Sequence, residues 1–311
     1  MKVGFIDSVH PVLWEELEKL NCTCVDFTTL KHHEILPFVH DLEGIVIRSK
    51  FKITAEFLEN CPNLKFIARS GSGLENIDLD AAKAKNIAVI NSPEGNKNAV
   101  AEHLIGMLLL LLNGLKKADN EVRNKIWQRE ANRGIELGSL TFGIIGYGVV
   151  GQCVAQTLKS FGCTVLAYDK YKKNYGDEFA QEVTWDQFCK QVDIVSLHVN
   201  YLPQNHHMTN SAFFNSFAKP IYFINTARGN CLNTNDLNEA LYSKKVIGAC
   251  LDVLEFEMVD FENDLNSPIL NTLFSFDNVV FSPHVAGWTT QSYYKLSWYL
   301  AQKIKTQFFN L

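Results

Sequence analysis

Three short polar stretches break out of apolar runs in the second half of the chain. They are Asn225-Thr226-Ala227-Arg228-Gly229 after YFI, Asp252 with Glu255 and Glu257 after GACL, and Ser282-Pro283-His284 after NVVF. A guanidinium, carboxylates and an imidazole are the groups that oxidation of a 2-hydroxy acid requires. Arg228 can hold a carboxylate and the neighbouring oxygen through parallel N–H donors. His284, with an unperturbed pKa near ~6.5, can take a hydroxyl proton as hydride departs. A carboxylate beside the ring would favour the imidazolium and orient it. Taken singly, Arg228 could cap a helix, Glu257 could be solvated and His284 could be an ordinary loop histidine among nine. The combination is what points to chemistry.

A fourth feature supplies a place for the hydride partner. Gly146-Tyr147-Gly148-Val149-Val150-Gly151 follows the strand-like TFGII and opens the helical pattern VVGQCVAQTLKSFG. The first glycine permits a tight turn, the second lets the backbone approach a pyrophosphate, and the third lets helix and strand pack closely. The helix N-terminus offers N–H groups and partial positive charge to phosphates. The next strand-like run, CTVLAYD, ends in Asp169, 18 residues after Gly151. A carboxylate there accepts from ribose hydroxyls and repels a 2′-phosphate, so NAD is the expected cofactor. Lys170, Lys172 and Lys173 follow; they would favour a 2′-phosphate if they faced it, and otherwise form a solvated basic turn.

The elements that must position these groups alternate. KVGFID, GIVIRS, LKFIARS and IAVINS read as strands, separated by helices over Val12 to Leu20, Ala55 to Cys61 and Leu79 to Lys85. The rhythm resumes after position 139 with TFGIIG, CTVLAYD, DIVSLHV, YFINTA, VIGACLDV and NVVFSPH. It predicts an α/β protein with two doubly wound parallel sheets. In such sheets ligands bind outside the carboxyl ends of the strands, where the polar stretches fall. Ala99 to about Lys117 forms a helix with few polar positions on any face, which must be covered nearly all round. It is expected to link the domains and to pack in an inter-domain or subunit interface, making a homodimer. Thr290 to Phe308 carries Tyr293, Leu296, Leu300, Ile304 and Phe308 at helical spacing and is expected to cross back to the first domain. Residues 1–98 plus 289–311 would then form a substrate domain, and 99–288 an NAD-binding domain.

At 311 residues, two cores are expected rather than one. The spread net charge of -5 leaves no basic patch for nucleic acid and nothing that suggests membrane binding. The apolar run Leu104 to Leu112 is far shorter than the roughly 20 residues a bilayer needs, and reads as a buried helix. MKVGFIDSVH reads as a first strand rather than a signal peptide, and the eight scattered cysteines give neither zinc spacing nor a disulfide framework. A cytoplasmic protein with no metal site is expected.

Six segments in fixed order resemble the D-isomer-specific 2-hydroxyacid dehydrogenase family over nearly the whole chain. They are ARSGSGLENIDLDAA, NSPEGNKNAVAEH, FGIIGYGVVG, NTARG, ACLDVLEFE and SPHVAGWT. The resemblance implies a flavodoxin-like substrate domain and a Rossmann NAD-binding domain with the substrate between them, dimerising through the nucleotide domain. It implies that Arg228 binds the substrate carboxylate, that Glu257 pairs with His284, and that backbone amides of Ser72, Gly73 and Leu74 also serve the carboxylate. Val149, Val150, Thr226, Asp252 and Gly287 are implied to line the NAD cleft; Tyr147, His198, Val199 and Ala227 complete the candidate cofactor residues. Three positions depart from the family pattern: Met258 follows the glutamate where proline is usual, Glu75 replaces an aspartate, and Ala99 replaces a hydroxyl residue.

The substrate is less sharply marked. Arg48 and Ser49 match the position that family members acting on 3-phosphoglycerate use near the substrate, and a phosphate would want such a cation. The ordinary alternative is that Arg48 and Lys50 lie at a solvated strand edge. Trp288 could wall the cleft or pack in an interface. HVAGWT is similar to relatives acting on erythronate 4-phosphate, and short 2-keto acids such as pyruvate or glyoxylate are a third option. A reading of another class, an NAD-sensing corepressor-like scaffold that recognises peptides, is disfavoured because Arg228, Glu257 and His284 are all present and no added tail or basic region is seen.

Overall fold

The structure, a computed structural model, describes residues 1–257 and 265–310. It divides into two compact units. The first holds Met1–Asn96 and residues 288–310; the second holds Lys97–Glu257 and residues 265–287.

In the first unit, β1 (Lys2–Phe5), α1 (Val12–Lys19), β2 (Thr23–Asp26), α2 (His32–Ile35), β3 (Gly44–Ile47), α3 (Ala55–Glu59), β4 (Phe66–Arg69), α4 (Leu79–Ala84) and β5 (Ala88–Asn91) alternate. The five strands pair in parallel in the order β2-β1-β3-β4-β5. Chain direction across the sheet therefore reverses between β1 and β3, the point at which doubly wound sheets place ligands. β3 reads GIVI with every residue buried, as expected of a parallel strand covered on both faces. β2 is absent from the strand readings made on sequence. Its TCVD has no apolar run, because it is an edge strand only half covered.

The long apolar helix, α5 (Pro93–Leu112), begins six residues before the expected Ala99, with proline in its first turn, where the missing N–H costs nothing. It stops short of Lys117 because Gly114 adopts φ +57°, and α6 (Leu115–Arg123) leaves at a 60° bend. Residues 93–96 belong to the first unit and the remainder to the second. There Leu104 and Leu108 are fully buried against Phe142, Ile144 and Val154, each contributing roughly 1.5–3 kcal/mol of burial. Among the described residues no single helix is long and apolar enough to cross a membrane.

The second unit continues through β6 (Thr141–Ile145), α7 (Val149–Leu158), β7 (Thr164–Tyr168), β8 (Gln181–Glu182), α8 (Trp185–Gln191), β9 (Ile194–Leu197) and α9 (Ser211–Asn215). It closes with β10 (Ile221–Asn225), α10 (Thr234–Tyr242), β11 (Val246–Leu251), α11 (Pro268–Phe274) and β12 (Val279–Phe281). The sheet is parallel throughout, in the order β12-β11-β10-β9-β6-β7-β8. The chain enters at β6, winds out to β8, and returns on the other side of β6 at β9. That is the dinucleotide-binding order with its reversal between β6 and β9. Finally α12 (Thr290–Phe309), capped by the Thr289 hydroxyl on Ser292 N–H, returns to the first unit. There it buries Leu300, Ala301 and Ile304 among Val3, Phe5 and Leu13.

Candidate active site

The glycine turn lies at the carboxyl end of β6. Gly146 takes φ +95°, and a Cβ there would lie 2.5 Å from the His198 carbonyl oxygen. At Gly151 a Cβ would stand 2.3 Å from the Gly146 carbonyl, so the first turn of α7 sits directly on the strand end. Gly148 differs: a Cβ would meet nothing within 4 Å, which leaves open space over the turn. No side chain caps α7, so its first N–H groups suit an anion. Tyr147 points inward. It is fully buried, and its hydroxyl donates to Asp177 Oδ1 at 2.8 Å; burial, then Asp177, raises its pKa well above the usual phenol value.

Asp169 follows β7. Its Oδ2 accepts Tyr147 N–H at 3.0 Å, and its Oδ1 accepts Tyr171 and Lys172 N–H at 3.0 and 3.2 Å. A carboxylate oxygen has lone pairs beyond these bonds, so ribose hydroxyls can still be received. Lys172 is more than a solvated turn residue, since its ammonium donates to the Tyr147 carbonyl at 2.6 Å. At the end of β9, His198 bonds Ser196 Oγ at 2.9 Å, and burial lowers its pKa to about 4, so the ring is neutral.

Arg228 stands on a turn fixed from below. Buried Asn225, the last residue of β10, accepts Ala227 N–H through Oδ1 and donates Nδ2–H to the Arg228 carbonyl, both at 3.0 Å. Beside it, a Cβ on Gly229 would lie 1.8 Å from the Leu254 carbonyl. The arginine turn therefore rests on the segment that carries the two glutamates. Glu255 is engaged elsewhere: its Oε1 meets His207 Nε2 at 2.5 Å and its Oε2 accepts Thr234 N–H at 2.7 Å. Glu257 meets His284, carboxylate oxygen against Nδ1. With Nδ1 bound to a carboxylate, Nε2 is the nitrogen that can exchange a proton with substrate.

His284 sits at φ +54°, which for a non-glycine residue costs on the order of 1–3 kcal/mol. Asp252 offsets that cost. Its carbonyl accepts His284 N–H at 2.7 Å, while Oδ1 and Oδ2 accept Val285 and Ala286 N–H, each at 2.9 Å. Ser282 Oγ also donates to Oδ1, at 2.5 Å. The Asp252 carboxylate is thus occupied by the backbone of the histidine turn. His103 of α5, which the sequence did not single out, reaches Ser282 Oγ through Nε2 at 2.8 Å. Its one visible sign was a histidine within a stretch otherwise rich in leucine.

The remaining candidates belong to the first unit. Ser72 donates to Asn96 Oδ1 at 2.7 Å, and its carbonyl accepts Asn91 Nδ2–H at 2.6 Å, which pins the Ser72-Gly73-Leu74 loop to the end of β5. Arg48, Ser49 and Lys50, at the end of β3, direct three successive N–H groups onto Asp7 Oδ2 at 2.7, 2.9 and 3.1 Å. Lys50 is not a solvated edge residue: its ammonium is bound by the carbonyls of Ile6, Phe27 and Thr28. The Arg48 guanidinium lies 4.3 Å from the centroid of the Trp288 ring.

A match to the family described as D-isomer specific 2-hydroxyacid dehydrogenase, NAD binding domain, covers residues 105–286, more than half of the chain. The chain belongs to this family. Among its relatives, hydroxypyruvate reductase of Thermotoga maritima is 34% identical over 88% of each chain. D-3-phosphoglycerate dehydrogenase of Methanocaldococcus jannaschii is 33% identical over 98% of this chain, which spans only 57% of that protein's length. Among solved structures, D-lactate dehydrogenase from Aquifex aeolicus complexed with NAD and lactic acid matches with a TM-score of 0.83 and 29% identity, covering 98% of this chain and 95% of that one. This 2-hydroxyacid dehydrogenase is accordingly an NAD-dependent oxidoreductase.

The site fits that cofactor on its own terms. The Thr226 hydroxyl, just past β10, is buried with no hydrogen-bond partner among the described residues, a polar atom that awaits one. The open space at Gly148 and the acceptor oxygens of Asp169 complete a cradle for an adenine dinucleotide. Gly287 closes the second unit just after the histidine turn.

Proposed function

We propose that this dehydrogenase interconverts 3-phosphoglycerate, a three-carbon D-2-hydroxy acid with a phosphate on C3, and its 2-keto form. The observation that carries the reading is Arg48. Its guanidinium is stacked on Trp288 at the reversal point of the first sheet and pairs with no carboxylate among the described residues. A planar cation fixed by an aromatic face, with no carboxylate partner among the described residues, suits a phosphate. Arg228 holds the substrate carboxylate and the C2 oxygen. His284 takes the hydroxyl proton through Nε2 in oxidation and returns it in reduction, and Glu257 stabilises the imidazolium formed in between. The Gly146–Gly151 turn and Asp169 would hold the cofactor, which would supply the hydride acceptor as NAD+ and the hydride donor as NADH.

A second reading, bare hydroxypyruvate, is favoured by the Thermotoga relative, which is named for that acid and matches over 88% of both chains. The test is NADH oxidation with 3-phosphohydroxypyruvate, hydroxypyruvate, glyoxylate, pyruvate and the keto form of erythronate 4-phosphate. The phosphorylated three-carbon acid should give the highest kcat/KM. Arg48→Ala should remove about 1.5–3 kcal/mol of its binding, roughly 10- to 150-fold in KM, with hydroxypyruvate nearly unaffected. Equal loss on both acids would reject the phosphate contact, and a wild-type preference for hydroxypyruvate would establish the second reading.

The enzyme is also proposed to work as a homodimer. Leu115 and Val122 of α6, with Ile126 and Trp127 after it, are exposed, Trp127 to 78%. Apolar side chains grouped in this way mark a partner surface. Sedimentation should give a dimer at micromolar concentration, and Trp127→Glu should shift it to monomer. A monomeric wild type would reject the proposal.

A further inference from the structure

We infer that His103 of α5 is a positioning residue for the catalytic turn, acting through Ser282 and Asp252; the inference rests on the assignment of proton transfer to His284. A serine hydroxyl has one proton. At Ser282 the acceptors within reach are Asp252 Oδ1 at 2.5 Å, His103 Nε2 at 2.8 Å in its Nδ1–H tautomer, and Met107 Sδ at 3.4 Å; the carboxylate oxygen, charged and closest, is by far the best of them. With that proton committed, the 2.8 Å contact between Ser282 Oγ and His103 Nε2 requires the histidine to donate. The hydrogen bonds then run in one direction, from His103 Nε2–H to Ser282 Oγ–H to Asp252 Oδ1.

The far end of this relay is the turn that carries the imidazole. Asp252 is 2% exposed, and its oxygens hold Val285 and Ala286 N–H while its carbonyl holds His284 N–H. His103 Nε2 also lies 3.7 Å from Oδ1. A donor feeding the Ser282 oxygen makes its hydroxyl a stronger donor in turn. Without His103, that hydroxyl can swing toward the Met107 sulfur. Oδ1 then keeps a single donor, and the left-handed turn at His284 loses part of its support. The expected result is a misaimed imidazole, an effect on the chemical step more than on binding.

The test is steady-state kinetics with 3-phosphohydroxypyruvate and hydroxypyruvate, together with NADH titration by fluorescence. The variants are His103→Leu, His103→Gln, Ser282→Ala and, as a control, His284→Asn. His103→Leu should lower kcat about tenfold, with KM and NADH Kd within about twofold of wild type. His103→Gln, whose amide N–H reaches the same place, should recover at least half of the loss, and Ser282→Ala should match the leucine variant. Wild-type kcat in His103→Leu or in Ser282→Ala overturns the inference, as does a glutamine variant no faster than leucine. If the leucine variant fails to fold, glutamine and Ser282→Ala decide alone. Turnover surviving in His284→Asn would instead remove the proton-transfer reading, whatever the other variants do.

Discussion

Replacing His284 with asparagine should lower kcat by about 10²–10⁴-fold, the range over which a positioned acid–base group acts, while NADH affinity stays within about twofold. Asparagine fills similar space and can keep a bond to Glu257, and the turn beneath it is held through backbone groups by Asp252. What it lacks is a proton exchangeable near neutral pH. Steady-state turnover with parallel fluorescence titration of NADH checks this, and turnover near wild type would show that the proton travels by another route.

Arg228→Lys should be nearly as damaging, with kcat/KM falling about 10²–10³-fold, comparable to removing a donor aimed at transition-state charge. Lysine keeps the charge but presents a point donor instead of a fork, so it cannot serve the carboxylate and the C2 oxygen together. The loss can be attributed to chemistry, because the turn is fixed by the Asn225 side chain acting on backbone groups at 227 and 228, which the substitution leaves in place. An unchanged thermal midpoint with collapsed kcat/KM is the expected pair of measurements. A variant that retains kcat/KM would move carboxylate recognition elsewhere.

Much of this was legible in the sequence because the physics is local. TFGII followed by glycines at the turn can only be a strand feeding a helix, and Asp169 falls where the next strand must end. YFI marks a strand tip because a parallel strand covered on both faces has to be apolar from end to end, and NVVF reads as a strand by its β-branched and aromatic run, although β12 is an edge strand with only Val279 buried. What stayed hidden depended on long-range contacts. β2 has no apolar run, since nothing covers half of it. The break at Gly114 was invisible against so many leucines. No pattern says that Tyr147 turns inward to Asp177, or that the N–H groups of residues 48–50 are gathered by Asp7, 41 residues before the first of them. Resemblance pointed Asp252 toward the cofactor; its hydrogen bonds go to the turn behind the imidazole. The choice of Glu257 over Glu255 likewise becomes a matter of geometry only when His207 is seen to occupy the other carboxylate.

The 1.8 Å separation between a notional methyl on Gly229 and the backbone oxygen of Leu254 has a practical meaning for anyone wishing to retool this enzyme. The guanidinium and the acid that serves the imidazole are mounted on the loops that follow two neighbouring strands, pressed together with no atom's width to spare, so even alanine at that glycine would have to pry them apart. Libraries aimed at new keto acids will gain little by loosening this joint. Diversity is better introduced around Arg48 and Trp288, the proposed phosphate contact, which is made by side chains and not main chain.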